Sequence, residues 1–211
     1  MPSPSRKIIF WEVDTQADFM LPGGKLYVPG AERLLPNLRR LTDAARQGRV
    51  FLVSHGCFHT PDDPEFRQFP PHCVKGTPGA AYVAEALAEK VAVVPNDADA
   101  SLPRDLSEYQ QILLEKQTLD IFESRHAEEL LRRLPSDAAF VVFGVVTEYC
   151  VGLAAKGLLE RGRRVLVVQD AIETLKAEDG ERTLTELKAL GASLINTHDA
   201  LKLLEVPPDA R

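Results

Sequence analysis

The sequence predicts a three-layer α/β/α fold around a mostly parallel, Rossmann-like six-stranded sheet. Three observations lead there. Short β-branched apolar runs recur along the chain, helical-period stretches separate several of them, and three runs end at a reactive residue: Asp14, Lys116 and Cys150.

The runs lie at 7–13, 50–54, 91–94, 111–115, 139–143, 164–169 and 193–196. Their length and continuous apolar character suit strands buried on both faces, as in parallel sheets. Helical patterns occupy 31–47, 80–89, 127–133, 150–161 and 180–190. Strands alternating with helices indicate βαβ units. In such sheets ligands bind beyond the carboxyl ends of the strands, where strand order reverses, and Asp14, Lys116 and Cys150 all fall at such ends. The segment 55–79 has no clear periodicity and is rich in Pro, His, Cys and Asp. A structureless stretch of that length inside a compact domain is usually functional.

At 211 residues and 45% hydrophobic content, the chain can bury a substantial core in one domain, 1–211. The polar lead 1–6 is expected to be flexible and is too short for a signal peptide. The net charge of −6 is spread along the chain, which argues against nucleic acid or an anionic membrane as partner. No stretch approaches the roughly 18 apolar residues of a membrane span, so a cytoplasmic protein is expected. Three cysteines without framework spacing do not make a disulfide scaffold.

Cys150 follows a buried strand and opens a helical pattern, so it is expected near a helix N-terminus. A free thiol of pKa ~8.5 is only about 3% thiolate at neutral pH, and lowering that pKa by ~2 units takes about 2.7 kcal/mol. The helix end and an ammonium such as Lys116 are expected to supply it. Asp14 could then accept and return a proton. Each residue also has a structural reading: Asp14 as a cap, Lys116 as a solvated strand end, Cys150 as a small buried hydrophobe. In 55–79, Cys57-x-His59 places two metal-ligand types on one side of an extended segment, with His72 and Cys73 further on. Surface histidines and a buried thiol are the alternative.

Four islands carry a family resemblance. They are Val13-Asp14-Thr15-Gln16-Ala17-Asp18-Phe19 followed by Pro22-Gly23-Gly24-Lys25-Leu26; Phe69-Pro70-Pro71-His72-Cys73-Val74-Lys75-Gly76-Thr77-Pro78-Gly79; Glu115-Lys116; and Gly144 to Val151. In this order they resemble the isochorismatase-like cysteine hydrolases, and within them the nicotinamidase (pyrazinamidase) branch. The resemblance implies that Asp14 is the general base and acid, Lys116 its charge partner and Cys150 the nucleophile. It implies a cis peptide at Val145-Val146, joining the N–H of Val146 with that of Cys150 as an oxyanion hole. It also implies a small-molecule amide substrate, Phe19 and Phe69 as walls around a planar ring, and a homo-oligomer.

The branch holds a divalent metal that receives the substrate's pyridine nitrogen. By resemblance its ligands here are Cys57, His59, Glu65 and His72, with Cys57 where the family has Asp and Glu65 on a loop histidine. That softer set points to Zn²⁺; Asp62, Asp63 or water could stand in for Glu65. Cys73 and His55 are expected as packing or supporting groups, Gln16 and Asp18 as hydrogen-bonding anchors of the first loop, and Asp170 as a structural turn residue. Val146 and Glu148, bulkier and longer than the family's usual residues, are expected to reshape the pocket.

The expected reaction is hydrolysis of nicotinamide to nicotinate and ammonia through a cysteine thioester. Two alternatives stay open: a metal-free amidase of a ureido, carbamoyl or other small amide, and a non-catalytic metal- or redox-binding protein. Metal analysis separates the first from the leading reading, and selective alkylation of Cys150 separates the second.

Overall fold

The computed structural model describes residues 8–205. Residues 1–6, expected to be flexible, lie outside the described residues, as does Lys7 at the head of the first run.

Strands β1 (Ile8–Val13), β2 (Phe51–Cys57), β3 (Val91–Val94), β4 (Gln111–Lys116), β5 (Ala139–Val145), β6 (Arg164–Glu173) and β7 (Ser193–Ile195) form one sheet of order β3-β4-β2-β1-β5-β6-β7. Every pairing is parallel. The sheet thus has seven strands, one more than expected, because both short edge runs pair: β3 on β4 and β7 on β6. β1, β2, β4 and β5 are buried throughout, which is why their sequences read as continuous apolar runs.

The helices cover both faces. One face packs against α3 (Ala127–Arg133), α4 (Gly152–Glu160) and α5 (Ala177–Ala189) through Leu130, Leu131, Ala154, Leu158 and Leu187, with Trp11, Phe140 and Val142 from the strands. The other packs against α2 (Leu35–Arg46) and α6 (Thr197–Lys202) through Leu38, Leu41 and Ala200, with Phe10, Leu52 and Phe143. Asp170 is structural, as expected: its carboxylate accepts from the N–H and hydroxyl of Thr197 at 2.7 and 2.8 Å, fixing the start of α6. Among the described residues no helix is long and apolar enough to cross a membrane.

The expected helix at 80–89 does not form beyond a single 3₁₀ turn, Ala84–Ala86. Tertiary hydrogen bonds hold this segment extended instead. Ala17 N–H donates to Ala81 C=O at 2.8 Å and Val83 N–H to Thr15 C=O at 3.0 Å. The Arg46 guanidinium takes the carbonyls of Ala84 and Leu87, and Gln111 accepts from Ala88 N–H. The short helix α1 (Ala17–Met20) has no counterpart in the apolar pattern, being one turn long.

Chain order reverses between β1 and β5, so the crevice beyond their carboxyl ends lies at the switch point. Gly144, at the end of β5, has φ 117°, and an added Cβ would collide with the Val13 carbonyl oxygen. Only glycine lets β5 approach β1 this closely where the site is built.

β1 also carries a buried acid, Glu12, fully enclosed between the layers. The Ser54 hydroxyl donates to its carboxyl at 2.6 Å, and Gln111 donates to Ser54 at 2.7 Å. Burial pushes its pKa up to about 8, against the Ser54 hydrogen bond, which pulls the other way. The folded state therefore binds a proton that the unfolded chain has already lost. Stability from this proton is complete below pH 4.5, the ordinary value, and is lost as pH rises toward about 8. Glu12→Gln keeps the neutral shape, so urea unfolding should show it more stable than the native chain at pH 8 and not at pH 4.5. An equal difference at both pH values would contradict the buried-proton account.

Candidate active site

Four strand ends deliver the site. Asp14 follows β1, Cys57 closes β2, Lys116 closes β4, and Cys150 lies in a wide π-type turn, Thr147–Val151, between β5 and α4. The turn kinks at Tyr149 (φ −121°, ψ −106°), and the Val145-Val146 peptide before it is cis, as the resemblance implies. Asp14 itself has φ 50°, a left-handed conformation that aspartate tolerates better than most residues.

Lys116 is the hub. Its side chain is fully buried, and Nζ lies 3.0 Å from Asp14 Oδ2, 3.0 Å from Cys57 Sγ and 3.5 Å from Cys150 Sγ. Desolvation opposes its charge, but Asp14 and the two sulfurs outweigh that and raise its pKa well above the usual lysine value. An ammonium here is held by its partners, not by solvent.

Cys150 departs from the expectation of a depressed pKa. Burial raises its thiol well above the ordinary range, the Asp14 charge adds to the rise, and Lys116 only partly offsets them. The resting group is therefore a thiol. Asp14 shares the Lys116 ammonium with it.

Beside this cluster the donor atoms of Cys57, His59 and His72 lie within 4.8 Å of one another, all buried. Ligands around a tetrahedral zinc sit about 3.3–3.8 Å apart, so modest contraction closes the set. His59 Nδ1 lies 3.0 Å from the Asp63 carboxylate but outside hydrogen-bond geometry, and both of its ring nitrogens are buried without a hydrogen-bond partner. A buried, unpartnered imidazole nitrogen is a lone pair that a metal would satisfy. His72 Nδ1 contacts the Pro70 carbonyl oxygen at 2.8 Å, leaving Nε2, and Glu65 Oε1 stands 3.9 Å from that nitrogen. The donor set fits a divalent metal. Burial pushes the Cys57 thiol up to about 12, so a metal would have to displace its proton.

Gln16 anchors Cys57 by a two-point clamp: it donates to the Cys57 carbonyl at 2.5 Å and accepts from the Cys57 N–H at 2.9 Å. Asp18 accepts from the N–H groups of Lys25 and Cys73 at 2.9 and 2.7 Å. Both are the loop anchors expected. Cys73 is buried, with its thiol raised by desolvation and its sulfur 3.9 Å from the Gly79 carbonyl, which is a packing role. Glu148 accepts from the N–H groups of Leu175 and Lys176 at 2.9 and 3.0 Å and from the Thr174 hydroxyl at 2.6 Å. It ties the turn that carries Cys150 to the wall that carries Leu175.

A cavity opens over these groups, lined by Asp14, Cys57, Glu65, His72, Val146 and Cys150 together with Phe19, Phe69 and Tyr149. Phe19 packs 5.2 Å from His72, and Phe69 6.2 Å from Tyr149 at 90°. Further walls come from Leu26, Val28, Leu119, Val145 and Leu175. Those residues carry no chemistry, so nothing in the sequence marks them as lining. His55 lies directly under Asp14, Nδ1 to Oδ1 at 3.9 Å, kept uncharged by burial and by Lys116.

Residues 9–199 match the isochorismatase domain family. The chain belongs to the isochorismatase-like hydrolases. Among its relatives, it is 26% identical to the nicotinamidase of Escherichia coli over 93% of this chain and 97% of that one. It is 27% identical to a pyrazinamidase of Pyrococcus horikoshii solved in complex with zinc, with TM-score 0.72 over 90% of this chain and 99% of the other. It is also 24% identical to the maleamate amidohydrolase of Pseudomonas putida, over 94% of this chain and 87% of the relative.

The state of Cys150 is directly measurable. Iodoacetamide labelling followed by peptide mass mapping should show Cys150 alkylated slowly at neutral pH, with a rate still climbing above pH 9. A rate that levels off below pH 8 would show a stabilised thiolate and contradict the buried-thiol account.

Proposed function

We propose that the protein hydrolyses a small, uncharged aromatic primary amide, nicotinamide foremost, to the acid and ammonia. The observation that carries the substrate choice is the cavity lining. Among the described residues that line it, none is Lys or Arg, and the walls are apolar and aromatic. A carboxylate-bearing amide such as maleamate would meet no lysine or arginine on these walls, whereas a flat neutral ring would lie between Phe19 and Phe69.

In this reading Cys150 Sγ attacks the amide carbon while Asp14 takes the thiol proton. Lys116 keeps the pair electrically balanced, since one ammonium faces both groups throughout. The developing oxyanion is received by the N–H groups of Val146 and Cys150. Its collapse breaks the C–N bond, Asp14 returns the proton to the leaving nitrogen, and ammonia departs. A thioester on Cys150 remains, and water activated by Asp14 hydrolyses it to the acid and frees the thiol.

Cys57, His59 and His72, with Glu65 beside them, would hold a divalent metal. When bound, it would act as a Lewis acid for the substrate's ring nitrogen. The thiolate–imidazole set favours Zn²⁺ over harder ions. The zinc in the P. horikoshii relative supports the same choice.

Ammonia release by the zinc-loaded protein tests the reading. Nicotinamide should turn over, Cys150→Ala should abolish it, and maleamate should react with kcat/KM at least about 100-fold lower. Bound zinc, measured by atomic emission, should fall in His59→Ala. No ammonia from nicotinamide would overturn the assignment. Full turnover of nicotinamide after chelation would favour a metal-free amidase mechanism and overturn the role given to the metal.

A further inference from the structure

The Asp14 carboxylate has two oxygens and uses one. Oδ2 takes the Lys116 ammonium at 3.0 Å, while Oδ1 is buried without a hydrogen-bond partner. Facing Oδ1 at 3.9 Å is Nδ1 of His55, a fully buried side chain with neither ring nitrogen partnered. An acceptor and a potential donor, both dry and both unpaired, thus stand about 1 Å beyond hydrogen-bond distance. The main chain holds them in register, because the Asp14 N–H donates to the His55 carbonyl at 2.9 Å. The Trp11 ring packs 6.0 Å from the imidazole, centroid to centroid, and its indole N–H is a further buried donor without a partner.

We propose that His55 is a positioning residue for the base: its Nδ1–H holds Asp14 Oδ1, which keeps Oδ2 on Lys116 and toward Cys150. The inference rests on the amide-hydrolase reading above. A neutral imidazole has one N–H to give and one lone pair to keep. With the proton on Nδ1, Nε2 keeps its lone pair and makes no demand on a donor's position. A base oriented by a third group is the recurrent arrangement around activated nucleophiles. Here the third group comes from β2, the strand that also supplies Cys57, so the acid and the ligand thiol are set by one element.

Two variants and one spectroscopic readout test this. His55→Asn places an amide N–H near the Nδ1 position, and His55→Leu removes the donor while filling the space. With nicotinamide as substrate, His55→Leu should lower kcat about 10- to 100-fold and leave KM within about 3-fold. His55→Asn should regain most of the loss. Independently of turnover, NMR of the ¹⁵N-histidine protein should show a slowly exchanging Nδ1–H proton, assigned by its loss in His55→Asn and displaced in Asp14→Asn. An unchanged kcat in folded His55→Leu, or an Nδ1–H signal absent or indifferent to Asp14→Asn, would overturn the proposal. If the native protein releases no ammonia, the amide-hydrolase reading fails, and the NMR result still decides whether His55 holds Asp14. If His55→Leu does not fold, the NMR comparison and His55→Asn decide.

Discussion

A single buried ammonium organises this protein. Lys116 has no exposed surface, and its charge is compensated by Asp14 at 3.0 Å, with Cys57 and Cys150 completing the shell. A charge in that position is tolerable only while its partners stay in place, and removing one partner of a buried pair typically costs about 3–5 kcal/mol. The same contacts join the two halves of the site. One sulfur belongs to the cluster that fits a metal, the other to the turn between β5 and α4.

Sheet topology explains why such a cluster can exist. β4, β2, β1 and β5 are consecutive in the sheet, and their carboxyl ends carry Lys116, Cys57, Asp14 and the turn with Cys150. Each residue stands one strand from its neighbour, at a spacing near 5 Å that long side chains readily bridge. Gly144 permits the close approach of β5 to β1, Gln16 locks Cys57 by its backbone, and Glu148 ties the Cys150 turn to the loop before α5. Rigid strands and locked turns hold the reacting groups in place, which is what a preorganised site requires.

Much of this was legible in the sequence, for a physical reason. Parallel strands buried on both faces must be continuously apolar, so a charged or thiol residue at the end of such a run is conspicuous; Asp14 and Lys116 stood out in this way. Donor chemistry drew attention to Cys57, His59 and His72, and the family resemblance made them a ligand set; that Cys57 closes β2 was not visible in the irregular pattern of 55–79. What stayed hidden depended on tertiary contacts. The segment 80–89 has a helical pattern, yet Thr15, Arg46 and Gln111 hold it extended. The high pKa of Cys150 follows from burial, which a helix-end argument ignores. His55 looked like packing because its significance lies in an unpaired oxygen of Asp14 across the strand end.

The account stands on the coupling between Lys116 and Asp14, and a double-mutant cycle in denaturant measures it directly. Lys116→Met alone leaves the Asp14 carboxylate buried and unpaired; adding Asp14→Asn removes that charge. Lys116→Met should cost about 3–5 kcal/mol, and the double variant should be more stable than the sum of the single effects by about 2 kcal/mol or more. Additive effects, agreeing within about 0.5 kcal/mol, would mean that the ammonium and the acid do not depend on each other and would contradict the central claim.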